Sequence, residues 1–174
     1  MSIIKKFDSI ASKIESYQWM DGLPFKLDMS DPDIPKREPD EIDQFDDLYW
    51  ELGNDRTFRI SARNKHKYWY KGDKLHREDG PAIKYSNGGE AWYLDGLRHR
   101  EDGPALIEYD GQKEWFLNGI QHREDGPAVE YVDGTVDWYL NGKLIKSKNY
   151  DSPQFKKRWQ KLLELERVRQ VMED

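Results

Sequence analysis

Three histidines, His76, His99 and His122, recur every 23 residues, and each opens the same run, His-Arg-Glu-Asp-Gly-Pro-Ala, at 76–82, 99–105 and 122–128. Imidazoles and carboxylates in register are the raw material of metal sites and of acid–base catalysis. Spacing argues against both. If the copies are successive hairpins of a sheet, equivalent side chains stand two strands apart, roughly 9.5 Å. A zinc ion holds its imidazole nitrogens at about 2.0–2.1 Å, so such a ladder does not converge on one ion. Within one copy the carboxylates follow the His on a turn and make at best an open, weak site. The expectation is therefore no metal and no cofactor. Other catalytic signatures are missing too: no Gly-x-Ser-x-Gly, no phosphate-binding Gly-rich loop ending in Lys, and no His pair on a helix. The sequence has no cysteine, which removes thiol nucleophiles and disulfides and fits a reducing cytoplasm. An enzyme is not expected. His66 is unrepeated, lies near a turn and is expected at the surface.

Turn chemistry gives the repeated run a structural purpose. Asp accepts local backbone hydrogen bonds, Gly permits positive φ, and Pro fixes φ for re-entry into the next strand. Arg and Glu are expected to pair along the ladder between neighbouring copies, contributing at most about 1 kcal/mol per exposed pair.

The elements that position these runs are legible from the same period. Trp69, Trp92, Trp115 and Trp138 are also 23 residues apart, and an aromatic, Tyr70, Tyr93, Phe116 or Tyr139, follows each one. Asp95-Gly96, Asn118-Gly119 and Asn141-Gly142 come shortly after, and Asn87-Gly88, Asp110-Gly111 and Asp133-Gly134 close the second stretch of each copy. Such dipeptides between alternating apolar residues are the strongest local hairpin signal, because type I′ turns need positive φ at both central residues. The pattern predicts a mainly β protein, a meandering antiparallel β-hairpin repeat sheet over 56–146. Residues 56–67 read as a leading half-repeat, with Ile60 aligned to Ile83, and Leu144-Ile145 as a trailing half. Alternation puts the Trp residues on one face as a core ladder and Tyr70, Tyr93, Phe116 and Tyr139 on the other.

An array of hairpins needs end caps. Residues 1–55 are expected to form a helical N-terminal region with an acidic, Pro-rich linker. Ile3, Ile4, Phe7, Ile10, Ala11, Ile14 and Tyr17 have helical spacing, Pro24, Pro32, Pro35 and Pro39 break the linker, and Ile42, Phe45, Leu48, Tyr49 and Leu52 suggest a second short helix. In 147–174, Ser152-Pro153 is a helix start, and Phe155, Trp159, Leu162, Leu165, Val168 and Met172 mark one broad face. Residues 21–55 carry 12 acidic and three basic side chains, and 143–174 carry nine basic and five acidic. The two ends either neutralise each other or offer an acidic surface to a basic partner. No apolar stretch approaches the ~20 residues that cross a bilayer, so a cytoplasmic protein without a membrane span is expected.

With these residues in hand, the period of 23, the aromatic-x-x-Asn-Gly-x-x-His core and the Asp-Gly turn resemble MORN repeats. In this variant His-Arg-Glu-Asp-Gly-Pro-Ala stands where the usual copy has His-Gly-x-Gly, as in repeat proteins of tailed phages, giant viruses and bacteria. The resemblance covers about 65–146 and implies an elongated antiparallel sheet that serves as a scaffold or interaction surface, in some bacterial relatives as an antitoxin that neutralises a partner protein. The expected function is non-catalytic binding of a protein partner through Tyr70, Tyr93, Phe116 and Tyr139, with Arg77, Arg100 and Arg123. A nucleic-acid partner, its bases stacked on those rings and its phosphates on those arginines, is the alternative. Glu and Asp directly after each Arg cancel the positive field that it needs.

Overall fold

The computed structural model describes residues 23, 25–37, 39–147 and 152–173. The helix expected over residues 3–17 lies outside them.

The N-terminal strands are β1 (Glu41–Ile42), β2 (Leu48–Gly53), β3 (Arg56–Ile60), β4 (Lys67–Lys71) and β5 (Lys74–Leu75). The regular copies contribute short pieces: β6 (Ile83–Lys84), β7 (Glu90–Ala91), β8 (Tyr93–Leu94), β9 (Leu97–Arg98), β10 (Leu106–Ile107) and β11 (Lys113–Glu114). They continue as β12 (Phe116–Leu117), β13 (Ile120–Gln121) and β14 (Val129–Glu130), and the sheet closes with β15 (Val136–Leu140) and β16 (Lys143–Ser147). One helix follows, α1 (Pro153–Glu173). The protein is thus mainly β, a long antiparallel sheet with a C-terminal helix.

The main sheet runs β1-β2-β3-β4-β6-β7-β10-β11-β14-β15-β16, and β8-β9 and β12-β13 are separate two-stranded ladders. The reason lies in the repeat. Each Trp sits where one strand changes partners: the Trp92 N–H donates to Ala105 O (2.7 Å) in the main sheet, while Trp92 O accepts from His99 N–H (3.2 Å) in the local hairpin. The return strand is interrupted by the His-Arg-Glu-Asp-Gly-Pro excursion and resumes at Ala82, Ala105 and Ala128, all fully buried.

The two turns of each copy differ. Asp95 and Gly96 have φ of 49° and 85°, and Asn118-Gly119 and Asn141-Gly142 match them, so both residues are left-handed as a type I′ turn requires. In Asn87-Gly88, Asp110-Gly111 and Asp133-Gly134 only the glycine has positive φ. These are longer loops with one left-handed glycine, closed by Gly88 N–H to Tyr85 O (3.0 Å) and its equivalents. The Asx side chain stabilises each one, as when Asp133 Oδ1 accepts from Thr135 N–H (2.9 Å). The expectation of type I′ geometry at both turns is corrected accordingly.

Residues 40–52 are not a helix. β2 alternates, with Leu48 and Trp50 buried and Glu51 exposed, and it pairs with β3 in the register Leu48↔Ile60 and Trp50↔Phe58. Trp50, Phe58 and Trp69 stack across three strands with centroids 5.4 and 4.8 Å apart. The sheet therefore begins N-terminal to residue 56. The proline-rich arm is part of the fold as well. Ile34 is buried against this cluster, Leu23, Phe25, Leu27 and Met29 pack beside it, and Arg37 O accepts from Trp50 Nε1 (3.0 Å).

At the other end Ser152 caps α1, its Oγ accepting from Phe155 N–H (3.2 Å). Trp159 and Leu163 are buried against Trp138 and Leu140, with Phe155 and Leu162 alongside. Leu165, Val168 and Met172, expected on the same face, are exposed. A 21-residue helix spans about 31 Å, and only its first turns rest on the sheet. Both ends of the described chain meet charge on the array: Asp33 meets Lys84 (2.7 Å) and Lys67 (3.4 Å), and Arg167 meets Glu124 (2.5 Å).

The Trp ladder is core only at its ends. Trp69 and Trp138 are buried, whereas Trp92 and Trp115 are half-buried. Trp159→Ala should therefore cost about 3–5 kcal/mol, as for a fully buried aromatic, and Trp92→Ala clearly less. Urea melts of the two variants check the order; equal losses would contradict it.

Candidate functional site

Each His-Arg-Glu-Asp-Gly-Pro loop builds the same small assembly. The Arg77, Arg100 and Arg123 guanidinium carbons lie 4.1, 4.1 and 3.9 Å from the ring centroids of Trp69, Trp92 and Trp115. The Nε of each donates to the Asp two residues on, Asp79, Asp102 or Asp125, at 2.8, 2.8 and 2.7 Å. Those hydrogen bonds hold the Asp79 and Asp102 carboxyls below the usual carboxylate range. On the other face of the guanidinium stands a glycine. A Cβ built on Gly103 would meet Arg100 Cζ at 2.9 Å, and one on Gly126 would meet Arg123 Cζ at 2.7 Å. None of Gly80, Gly103 and Gly126 has positive φ. The glycine is required for room, so the expectation that it supplies a left-handed turn is corrected. The expected Arg–Glu ladder between copies is replaced by this Arg–Asp pair within each copy. Pro carbonyls complete the setting: Arg100 and Arg123 Nη1 donate to Pro104 O (3.4 Å) and Pro127 O (3.2 Å).

The histidines join copies. His122 Nδ1 accepts from the N–H of Asn141, the first left-handed residue of the next type I′ turn, at 3.1 Å. His76 and His99 do the same for Asp95 and Asn118, each at 3.1 Å. The second turn residue is held as well, Gly96, Gly119 and Gly142 donating to Leu75, Arg98 and Gln121 carbonyls at 2.8–2.9 Å. The same Nδ1 lies 3.0 Å from Asp95 Oδ1 in His76 and 2.8 Å from Asn118 Oδ1 in His99, and Nε2 of His76 faces Glu78 Oε1 at 3.4 Å. Among the described residues no group of His, Asp and Glu is arranged to hold a metal ion. His66 is partly exposed near the turn, its Nδ1 accepting from Ser86 N–H (3.1 Å), and burial lowers its pKa.

Tyr70, Tyr93, Phe116 and Tyr139 lie half-buried along the other face. Cations are interleaved with them: Arg98 sits 6.0 Å from the Tyr93 ring and 5.4 Å from Phe116, and its Nε donates to Tyr93 OH (3.1 Å). Arg59 donates to Tyr70 OH (3.4 Å) and is clamped by Asp47. The structure thus separates the expected binding residues, with the aromatic row on one face and Arg77, Arg100 and Arg123 within the Trp face. No protein-family model and no curated protein matches the chain. Arg59 and Arg98 were missed in the sequence because neither stands in the invariant run; their position on strands beside the aromatic row was the available signal.

Gly103→Ala should destabilise the protein by about 1–3 kcal/mol, as overpacking does. In Arg100→Ala/Gly103→Ala the extra methyl has room, so the added loss should shrink towards zero. A double-mutant cycle from urea melts measures the coupling; strict additivity would contradict the sandwich.

Proposed function

We propose that the protein is a non-catalytic protein-binding protein built on MORN-like repeats, an inhibitor that occupies a partner rather than acting on it. The observation that carries this reading is the division of labour between the faces. Each repeat histidine uses its Nδ1, and each loop arginine its Nε, in a bond within the array. The opposite face carries a row of half-buried aromatics, Tyr93 packed on the buried Ile83, Ala91 and Leu106, with Arg98 beside Tyr93 and Phe116 and Arg59 beside Tyr70. Aromatic side chains and arginine on a rigid sheet are the residues enriched where binding energy concentrates. The repeat's likeness to those of phage, giant-virus and bacterial proteins supports an inhibitor or antitoxin-like role. Phosphate binding by Arg77, Arg100 and Arg123 is disfavoured, because each has one guanidinium face on a Trp ring and its Nε on a carboxylate.

Tyr93→Ala/Phe116→Ala should abolish capture of a protein partner while keeping the cooperative melt, and the captured complex should depend only weakly on salt. Tight binding to single-stranded nucleic acid that falls steeply with salt and vanishes in the same variant would overturn the protein-binding reading. Deleting the acidic arm does not serve as a test, because Ile34 and Asp33 hold the sheet itself.

A further inference from the structure

On the Trp face, successive His-Arg-Glu-Asp-Gly-Pro loops are separated by grooves. One, of about 750 Å³, has Trp92 and Leu94 on its floor, and the next, of about 540 Å³, has Trp115 and Leu117. Their rims are anionic. Each loop arginine is balanced by its own Asp, while Glu78 and Glu101 make only long contacts, at 3.4 and 3.8 Å, with a histidine and leave 80 and 85% of their side chains exposed.

The equivalent position after the third loop is occupied by the chain itself. There Trp138 is followed by no further loop, and α1 takes the place. Trp159 meets the Trp138 ring edge-to-face at 5.1 Å and donates from Nε1 to Glu124 O (2.7 Å), while Arg167 pairs with the Glu124 carboxylate. The exposure of Glu124 falls to 45%. One end of the array therefore displays what fits these surfaces: an apolar side chain on the floor and a cation on the loop glutamate.

We infer that the two open grooves bind an extended, basic segment of a protein partner. This rests on the protein-binding reading but uses the opposite face of the sheet. The geometry selects an extended segment over a helix. A helix with side chains is about 10–12 Å across, and neighbouring loops recur roughly every 9.5 Å, so a helix cannot descend between them. α1 fits only because no loop stands beyond it. A chain extended in the polyproline II conformation has three residues per turn and advances about 3.1 Å per residue, so every third side chain returns to the same face about 9.3 Å on and meets an equivalent place. Cations at that interval meet Glu78, Glu101 and their neighbouring aspartates, and apolar groups between them reach Leu94 and Leu117.

The test uses the full-length protein and two fluorescein-labelled peptides of identical composition, rich in Gly and Ser with one Trp. In one, arginine stands at every third position; in the other, the arginines are consecutive. Fluorescence anisotropy should show tighter binding of the spaced peptide. Glu78→Gln/Glu101→Gln, which alters only exposed side chains, should weaken it roughly fivefold, as the loss of two exposed pairs implies. Equal affinity for both peptides, no binding of the spaced one, or an unchanged affinity in the glutamine variant would overturn the inference. None of these results touches partner capture through Tyr93 and Phe116, so the groove can fail while the protein-binding reading stands.

Discussion

In each full repeat an arginine guanidinium lies flat between a tryptophan ring and a glycine backbone, with an aspartate holding its Nε, and much of the architecture follows from keeping it there. The planar cation does what an aliphatic residue does in a thicker protein: it covers the face of a large ring. A single-layer sheet has no second layer to bury Trp92 and Trp115, and the arginines supply the missing cover. The loop that carries the arginine must leave the strand to place it over the ring, which is why the chain leaves the separate β8-β9 ladder and rejoins the main sheet only at β10. The histidine at the start of the same loop then hooks the next turn, so one excursion both covers its own repeat and fastens the following one.

The two ends of the array show what happens when this cover is lacking or must be supplemented. After Trp138 there is no further loop, and α1 brings Phe155 and Trp159 to the ring instead. Before Trp69, β2 and β3 extend the aromatic stack, and the arm lays Ile34 and Asp33 across it. Asp33 is partly buried, which would raise its pKa, yet the Lys84 and Lys67 ammoniums hold it below the ordinary value. That contribution is complete above the ordinary carboxylate range and is lost as pH falls through the lowered value. Two acids of the arm, Asp31 and Asp33, thus meet the array's own lysines.

The repeat made much of this legible in sequence. A strict period fixes the hairpins, the alternation of Trp and Tyr faces, and the left-handed Asp95-Gly96 class of turn, because each depends on neighbouring residues. Three features were not legible. Ile42, Phe45, Leu48, Tyr49 and Leu52 satisfy helical spacing, and only the pairing of Leu48 and Trp50 with Ile60 and Phe58 decides for strand. The arm has the composition of a linker but is ordered by contacts more than 30 residues away, such as Lys67 with Asp31. In the invariant run, Gly after Asp reads as a turn residue, whereas its purpose is to leave space for a side chain three positions earlier. Identity across copies signals a shared neighbour without saying which one.

The central claim is that shape, not charge alone, holds the arginines in place, and replacing Arg100 and Arg123 together by lysine tests it most directly. Lysine keeps the charge but has no flat face to lie between ring and glycine and no Nε for the aspartate. Denaturant unfolding followed by tryptophan fluorescence should show a loss of at least about 1 kcal/mol with respect to the unsubstituted protein. A double lysine variant as stable as the original, within about 0.5 kcal/mol, would contradict the account.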